Sequence, residues 1–556
     1  MMSISQLFSE KLRSDGVAYQ NQPAMVLLKK NGGKVEYAWF DYKERVLQVM
    51  EGLKGRGLKV GDFVPIIALN LPESFFAILG TILAGMIPIP INVMLLKEAG
   101  QKELNKILEN CRPALVLGNE CLRKLLPDNC ISITQIFTEG HEIMESRNRG
   151  PNRKITKLEP EPRNPQEILI MSYTSGTSGK PKGVMLSEAG VIDRVAAITN
   201  ELQVTRQERF LSYLPLGHIS ELIATFFGQI HSGYTVYFTE HIEELIRDRE
   251  KFRKVFPKIL QQAQPTIFLA VPKVWMNFRK KIEYKLKKIP LFIRGSGPVK
   301  SFLVKLIKRQ LGFQKTRVFI SAGSPIDQSE VDFFKNLDIN IDDIYGQTET
   351  GGPILINGKK IGDVMVIMLV KKEEKEEQKE IVVQGPCLML GYYNNPKATA
   401  KALEDINNSG KLIYHTGDAC KYGKTLSGIP GLICAGRLDN GFKLANGEFI
   451  SAPKIYELEN EIKKVNGVEE VIICGEGKPS LVALIFSDKY YTHGLPCEYF
   501  GRKIDQRCQE IGEGLYKIRA CWFADKDELE YTATMKIKRK EVIKKFQGVI
   551  GTLTNR

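Results

Sequence analysis

Between Glu167 and Ile341, short apolar runs alternate repeatedly with amphipathic stretches, and this alternation limits the choice of fold class. Such a pattern is typical of strand–helix–strand units, which pack as α/β layers with largely parallel sheets. The strand candidates are EILIMSY, RFLSYLPL, YTVYF, PTIFLAV and TRVFIS. The helix candidates include SEVDFFKNL and SEAGVIDRVAAITNEL, for which Ser187 is the predicted N-cap. We therefore predict an α/β fold whose larger body is multi-layered, with mainly parallel sheets.

A smaller second domain is predicted at the carboxyl-terminal end. At 556 residues, the chain exceeds what one ordinary hydrophobic core supports. After Ile361 the pattern changes to two strand-like runs joined by KKEEKEEQKE, which we interpret as a charged, solvated turn. Helical and strand periodicities restart after GRLDNGF. Residues 1–437 are therefore predicted to form the large domain and residues 438–556 a small α/β domain.

The uncharged stretch from Phe75 to Leu96 is long enough to be considered as a membrane span. Pro88 and Pro90 oppose that interpretation, because they leave only about a dozen residues for a helix before it is interrupted. We predict instead a buried core helix followed by the extended segment IPIPI.

Cysteine usage and the N-terminal sequence bear on the compartment. The ten cysteines occur singly, without a CxxC pair or a His/Cys run at zinc-ligand spacing. Neither a disulfide scaffold nor a zinc site is therefore predicted. The sequence MMSISQLFSEKLRSDG lacks the basic start, apolar middle and cleavage site of a secretory signal. We expect a cytoplasmic location.

Positive charge is concentrated between Arg279 and Arg317, where Glu283 is the one acidic residue among many bases. Aromatic and aliphatic residues are interleaved with these bases, which suits an amphipathic surface attracted to anionic lipid head groups. The same pattern suits phosphate binding, or a solvated helical face without any ligand. No base-reading motif is present, so peripheral contact with an anionic membrane is considered and no nucleic-acid partner is expected.

A loop rich in glycine and hydroxyl groups, TSGTSGKPKG from Thr174 to Gly183, directly follows the strand candidate EILIMSY. Glycines let backbone N–H groups approach an anion, hydroxyls donate hydrogen bonds, and Lys180 and Lys182 supply positive charge. The loop is not a Walker A motif, because Thr174 stands where glycine is needed and Pro181 where serine or threonine is needed. Taken alone, it is either a phosphate-binding loop or a turn without a ligand.

The sequence YTSGTSGKPKGV resembles the phosphate loop of the adenylate-forming superfamily, with Ser178 where threonine is more usual. Further motifs follow in that family's order: PLGHISE, ISAGSPI, YGQTETGG, TGD, GRLDNGFKLANGE and TATMKIKR. The last is similar to the terminal lysine motif of long-chain fatty acyl-CoA synthetases, with Ala533 where proline is usual. The resemblance covers nearly the whole chain and implies that the small C-terminal domain is mobile.

The resemblance implies how ATP is bound. The loop would hold the β- and γ-phosphates, Asp418 and Arg437 the ribose, and Tyr345 one face of the adenine, with Gly323 and Ser324 opposite. The residues implied for ATP are Thr174, Ser175, Gly176, Thr177, Ser178, Gly179, Lys182, Gly323, Ser324, Tyr345, Gly346, Thr348, Asp418 and Arg437.

Three of the implied residues are catalytic: Lys536, Glu349 and Thr174. Glu349 and Thr174 would together hold Mg²⁺, which prefers hard oxygen ligands. Lys536 would bridge the substrate carboxylate and the α-phosphate, where its charge stabilises the transition state. His218 would lie near the acyl site, although a core histidine is a comparable interpretation.

The family's second half-reaction follows a rotation of the small domain. Asp439 is the implied hinge, because hinges are a few residues at element ends that absorb the backbone change. Lys443 and Gly447 would then line the coenzyme A site.

The expected reaction is ATP-dependent activation of a medium- to long-chain fatty acid through acyl-AMP, followed by transfer to coenzyme A. ATP, Mg²⁺, coenzyme A and the fatty acid are the small molecules it requires. Residues 76–79, 221–230 and 268–275 are candidates for an acyl tunnel, and equally for core. Two alternatives stay open: a ligase that uses a carrier protein or another acceptor, and a silent acyl-binding paralogue.

Overall fold

Three sheets of the large domain carry the parallel pairing that the strand–helix alternation predicts. In the computed structural model, the first has the order Lys34–Tyr37, Met25–Leu28, Thr235–Thr239, Arg209–Leu211. The second has the order Ile87–Ile91, Phe63–Ile67, Val116–Gly118, Cys130–Ser132, and all its pairs are parallel. The third has the order Ile267–Ala270, Val318–Ala322, Ile341–Gln347, Gly352–Ile356, Lys359–Lys360. The first and third sheets each end in antiparallel strands.

The structure describes most of the chain, in eleven segments: residues 2–12, 22–148, 158–175, 181–286, 297–373, 376–405, 410–465, 467–487, 496–511, 516–531 and 537–554. The helices of the large domain share two extensive hydrophobic cores with the sheets. Its main helices are Ile4–Glu10, Trp39–Gly55, Pro72–Leu83, Glu98–Cys111, Ile133–Asn148, Glu188–Glu201, Arg249–Ala263, Pro272–Leu286, Gly297–Gln310, Gln328–Lys335 and Pro396–Ala402.

The predicted strands and helices are confirmed. Each of the five strand candidates overlaps a strand of the structure, and SEVDFFKNL contains most of the helix Gln328–Lys335. The helix Glu188–Glu201 begins after Ser187, whose Oγ accepts a hydrogen bond from the backbone N–H of Gly190 at 3.1 Å. An N-cap of this kind satisfies one of the backbone donors that a helix start leaves unpaired.

The apolar stretch from Phe75 to Leu96 forms core, as predicted. Its first part lies in the buried helix Pro72–Leu83, and IPIPI is the strand Ile87–Ile91. That strand is at the edge of its sheet, where proline is tolerated because it cannot donate to a central ladder. Among the helices that the structure describes, none combines the length and apolar character needed to cross a membrane.

Two antiparallel sheets complete the large domain. One has the order Gly391–Tyr392, Pro181–Ser187, Ile168–Ser175 and carries the glycine-rich loop between its last two strands. The other has the order Met365–Glu373, Glu376–Gln384, Leu412–Lys424, Leu403–Asp405, and Pro430–Arg437 also pairs with Leu412–Lys424. The strand pairings of the large domain between residues 365 and 437 are therefore antiparallel.

The charged stretch KKEEKEEQKE is mostly strand, so the interpretation of it as a turn is wrong. The antiparallel pairing of Met365–Glu373 with Glu376–Gln384 continues as far as Glu373 opposite Glu376. The backbone therefore keeps strand geometry on both sides of this stretch. Only residues 374 and 375 interrupt the two strands, and they lie outside the described residues.

The small domain is α/β, as predicted. Its strand Leu481–Ser487 lies between Val468–Cys474, which is antiparallel to it, and Ile518–Asp525, which is parallel. Alternate residues of Leu481–Ser487 belong to two different cores, which explains why this strand is apolar throughout. The helices of the domain are Ala452–Lys463, Pro496–Ile511, Arg539–Lys545 and Gln547–Thr554. The boundary between residues 437 and 438 stays a prediction.

Candidate active site

A cavity of about 1390 Å³ lies where the two domains face each other. It gathers residues from sequence motifs that are far apart along the chain. The predicted site residues that line it are Thr174, Lys182, His218, Gly323, Ser324, Tyr345, Gly346, Thr348, Glu349, Asp418, Arg437 and Asp439. Gly176, Thr177, Ser178, Gly179 and Lys536 lie outside the described residues, as does the side chain of Ser175.

The glycine-rich loop is held by a β-hairpin whose register sets Thr174 opposite Lys182. The ammonium group of Lys182 lies 4.7 Å from the ring centroid of Tyr392, a cation–π contact. Tyr392 pairs with Val184 on the neighbouring short strand, so the same sheet positions the loop and the aromatic ring. The lysine is thereby kept at the loop rather than in solvent.

Glu349 lies in the helical turn Thr348–Thr350. The hydroxyl of Tyr392 donates a hydrogen bond to Oε1 of Glu349 at 3.0 Å. Burial, together with the charge of Glu349, raises the pKa of Tyr392, so this hydroxyl keeps its proton and remains a donor. Sequence reasoning missed Tyr392, because nothing in GYYNNP indicates that its ring contacts the loop lysine and its hydroxyl a site carboxylate.

Asp418 is the centre of a buried hydrogen-bond network. Its Oδ2 accepts from the hydroxyl of Tyr345 at 2.7 Å and from Nε2 of Gln347 at 2.6 Å. Its Oδ1 accepts from Nη1 of Arg437 at 3.1 Å, and Tyr414 donates to the amide oxygen of Gln347 at 2.5 Å. The predicted pair Asp418 and Arg437 is therefore in contact, whereas Gln347 and Tyr414 are additions that the sequence did not reveal.

Close backbone packing requires glycine beside this network. The ladder shifts register between Tyr345 and Gly346, and a Cβ atom at Gly346 would collide with the carbonyl oxygen of Gly352. Gly323 has a φ of +91°, in the left-handed region that favours glycine. Both positions lie in motifs that face the cavity.

Asp343 is a further cavity residue that the sequence did not single out. Its carboxyl group lies two residues before Tyr345, and burial raises its pKa to about 6. A carboxylate at that position can accept a hydrogen bond from an amino group of a ligand.

His218 is half-buried and lines the cavity, at the start of a helical segment that continues as the π-helical turn Leu222–Phe227. The buried carboxyl group of Glu221 fixes this segment: Ser212, Thr225 and Asn70 donate to its Oε1, and the backbone of Leu214 donates to its Oε2. Turns of π-helix occur frequently at functional sites. Glu221 thus fixes the backbone that carries His218.

The segments on both sides of Lys536 face the cavity. Tyr531, Ile537 and Lys538 line it, and Tyr531 forms a β-bridge with Ile537. Arg539 anchors the following helix, because its guanidinium donates to Glu459 at 2.5 Å and to the carbonyl oxygen of Ile473 at 2.7 Å. The described residues on both sides of Lys536 therefore lie at the same cavity as Thr174 and Lys182.

The predicted hinge and second-site residues are separated in this conformation. Asp439 pairs with Lys540 of the small domain at 3.2 Å and with Arg437 of the large domain at 3.7 Å. Lys443 and Gly447 are exposed on the hairpin formed by Phe442–Lys443 and Phe449–Ile450. Neither of these two residues is among those that line the cavity.

Comparisons with known proteins agree with this geometry. A family model described as AMP-binding enzyme matches residues 13–393. The long-chain-fatty-acid–CoA ligase ACSBG2 of Mus musculus is 26% identical over 593 residues, covering 96% of this chain and 84% of that protein. The peroxisomal long chain acyl-CoA synthetase 7 of Arabidopsis thaliana is 26% identical over 576 residues, covering 92% and 77% respectively.

Solved structures share the fold. The A-PCP didomain of the carboxylic acid reductase from Segniliparus rugosus, in complex with AMP, superposes with a TM-score of 0.75. It is 17% identical, and the match covers 99% of this chain and 82% of that chain. At this identity the likeness concerns the α/β architecture with its large and small domains.

Replacing Asp418 with asparagine is expected to weaken AMP binding. In the unaltered protein these donors face a carboxylate, whereas the variant presents amide N–H groups to some of them. A hydrogen bond to a charged group contributes about 1.5–3 kcal/mol. The Kd for AMP, measured by calorimetry, should rise roughly tenfold to a hundredfold. Asp405→Asn is the matched control, because Asp405 is exposed on the same sheet. An unchanged Kd in Asp418→Asn would contradict the role of the network.

The buried carboxyl group of Glu221 should make the stability of the folded protein depend on pH. Burial raises its pKa from 4.5 to about 7, although its four hydrogen-bond donors lower it. The folded protein therefore holds this proton more tightly than the unfolded chain, and the stability from this group is lost as pH rises between these values. In Glu221→Gln, the fall in melting temperature between pH 5 and pH 8 should be smaller than in the unaltered protein. Equal falls in both proteins would show that Glu221 does not titrate in this window.

Proposed function

Because the chain belongs to the family of AMP-binding enzymes, we propose that it activates a medium- to long-chain fatty acid with ATP and transfers it to coenzyme A. The observation that carries this proposal is the single cavity shared by Thr174, Lys182, Glu349, Asp418 and the flanks of Lys536. A cavity of this composition offers cations and hydroxyls at one end and a ribose-binding carboxylate at the other. The most similar relatives described above, which cover most of the chain, are named as long-chain acyl-CoA ligases.

In the first half-reaction, a carboxylate oxygen of the fatty acid forms a bond to the α-phosphorus of ATP, and the bond to pyrophosphate breaks. Two anions must meet, so catalysis depends on charge neutralisation and alignment more than on proton transfer. Lys182 would hold the departing phosphates, and Lys536 would neutralise the charge that develops between the carboxylate and the α-phosphate. Asp343 and Tyr345 would face the adenine, and Asp418 the ribose hydroxyls.

Mg²⁺ fits the oxygen atoms at the phosphate end of the cavity. The hydroxyl of Thr174 and the carboxylate of Glu349 belong to the same lining, and the hydrogen bond from Tyr392 is made to one of the two carboxylate oxygens, Oε1. Mg²⁺ is commonly held by one or two protein oxygens together with substrate phosphates, and when bound it would offset their negative charge. Tyr392 would orient Glu349 for this role.

In the second half-reaction, the sulfur of coenzyme A forms a bond to the acyl carbon, and the bond to AMP breaks. Lys443 and Gly447 are too exposed to serve in the conformation described here, so rotation about Asp439 would have to bring them to the cavity. If the acceptor is a carrier protein or another molecule in place of coenzyme A, acyl-AMP should accumulate in the presence of coenzyme A and no thioester should form.

The acyl chain needs an apolar path from His218. The candidate segments 76–79, 221–230 and 268–275 lie largely in core, since Phe76, Phe226 and Trp275 are buried in tightly packed clusters. A long chain would therefore require side-chain movement near the π-helical turn after His218. A Cβ atom at Gly352 would lie 3.2 Å from Cγ1 of Ile223, a residue of that turn, so the turn packs closely there.

We also propose that the enzyme is cytoplasmic and contacts anionic membrane through the basic region predicted from the sequence. On the helix Gly297–Gln310, Phe302 and Leu306 are exposed one turn apart, with 65% and 39% of their surface accessible. Lys305 and Arg309 are exposed beside them. Apolar side chains flanked by bases suit insertion at the interface of a negatively charged bilayer.

The reaction is tested by measuring pyrophosphate release with ATP and Mg²⁺ across acids from acetate to oleate, with and without coenzyme A. We expect release that depends on a medium- to long-chain acid, and formation of the acyl-CoA. Lys536→Ala should lower the adenylation rate about a hundredfold or more, because it removes one preorganised charge at the transition state. Lys544→Ala, a matched change on an exposed lysine, should not. The absence of release with every acid would contradict the proposal.

Membrane contact is tested by flotation with vesicles of phosphatidylcholine, with and without phosphatidylserine. Binding should require phosphatidylserine and should fall about tenfold or more in a Phe302→Ser/Leu306→Ser variant, because each apolar side chain contributes about 1.5–3 kcal/mol when buried. Phe40→Ser is the control, since Phe40 is comparably exposed at 62% on another helix. Equal binding of the unaltered protein, the double variant and the Phe40 variant would contradict the proposal and indicate that the basic region is a solvated face.

A further inference from the structure

A carboxylate of the small domain lies between two lysines of the large domain. Glu469 stands at the beginning of the strand Val468–Cys474, and its Oε1 accepts a hydrogen bond from Lys280. Its Oε2 lies 3.5 Å from the ammonium group of Lys273. Both lysines belong to the helix Pro272–Leu286, seven residues apart, which puts them on the same face of that helix.

The contact is mostly shielded from solvent on the acidic side. The side chain of Glu469 is 9% exposed, whereas the lysines are more accessible. Burial alone would raise the pKa of Glu469, but the hydrogen bond from Lys280 and the charges of Lys280 and Lys273 lower it. Lys526 of the small domain contributes a further positive charge. Without the carboxylate, three ammonium groups would face one another across the domain boundary.

This contact adjoins the cavity of the proposed reaction. Lys273 and Glu469 are themselves among the residues that line it, together with Ile537 and Lys538 beside Lys536. The strand that begins at Glu469 also anchors the lysine motif, because Arg539 donates to the carbonyl oxygen of Ile473. Glu469 therefore connects the large domain to the strand that holds the segment following Lys536.

We propose that Glu469 is a positioning residue that clamps the small domain in the orientation required for adenylation, and that this clamp opens before acyl transfer. The proposal rests on the two-step function proposed above. Lys273 and Lys280 hold Glu469 during the step in which Lys536 acts on the carboxylate and the α-phosphate. Rotation about Asp439 separates Glu469 from both lysines, so the clamp favours the first half-reaction alone.

The test compares the half-reactions of Glu469→Gln, which preserves shape but removes the charge. Acid-dependent ATP–pyrophosphate exchange should fall about tenfold or more, as expected when one partner of a shielded ion pair is removed. Thioester formation from supplied oleoyl-AMP and coenzyme A should stay within about twofold of the unaltered enzyme, since that step does not use the clamp. Equal loss of both half-reactions, or no loss of either, would overturn the proposal.

Two further variants separate a clamp from a general effect of the charge. Glu461→Gln is the matched control, because Glu461 forms ion pairs with Lys464 and Arg507 inside the small domain. The double variant Lys273→Gln/Lys280→Gln should reproduce the loss seen in Glu469→Gln. Adding Glu469→Gln to it should then cost little more, because residues that act through one contact are not additive. Additive losses would exclude a shared contact.

Hydrogen–deuterium exchange provides a readout that does not depend on activity. Exchange in peptides from the helix Pro272–Leu286 and the strand Val468–Cys474 should rise in Glu469→Gln and in the double lysine variant, but not in Glu461→Gln. If no acid supports pyrophosphate exchange in the unaltered protein, the proposed reaction fails, and these peptides still decide whether the clamp exists. Unchanged exchange in both clamp variants would show that it does not.

Discussion

The hydrogen bonds to Asp418 join the two sheet systems on which the cavity depends. Tyr345 and Gln347 lie at the end of a strand in a mixed sheet, whereas Asp418 and Arg437 lie on neighbouring antiparallel strands. A buried carboxylate left without its donors loses a large part of its stabilisation, so all three donors are kept in place. The orientation of one sheet relative to the other follows from this contact, and with it the shape of the nucleotide end of the cavity.

Fold class and element order could be predicted from the sequence because they depend on local patterns. The apolar run at Leu481–Ser487 indicates a strand buried on both faces, and Ser187 marks a helix start, without knowledge of distant residues. The charged segment within the hairpin from Met365 to Gln384 was wrongly interpreted as a turn, because that interpretation used only its local composition. Its two strands pair along the backbone as far as Glu373 and Glu376, and the register of that pairing is not a local property.

The candidate site was predictable where its residues lie in contiguous motifs, and not where single residues meet in space. Thr174, Glu349 and Asp418 were identified because each belongs to a motif with a recognisable sequence. Tyr392 and Asp343 were missed, since a tyrosine or aspartate in a strand ordinarily indicates nothing beyond packing or exposure. Their roles depend on distances to Lys182, to Glu349 and to the cavity, which only the folded chain sets.

The polar character of the contact between the domains is consistent with a structure that must open. An apolar interface would resist separation by about 25 cal/mol for each Å² exposed, whereas ion pairs exchange their partners for water at little net cost. Glu469 and its two lysines hold the domains through charges that solvent can replace. Such contacts can fix an orientation during one chemical step and release it for the next. The orientation of the small domain could not be predicted from the sequence, because it depends on contacts between single charged residues. Glu469 and Lys280 are 189 residues apart, and neither lies in a motif.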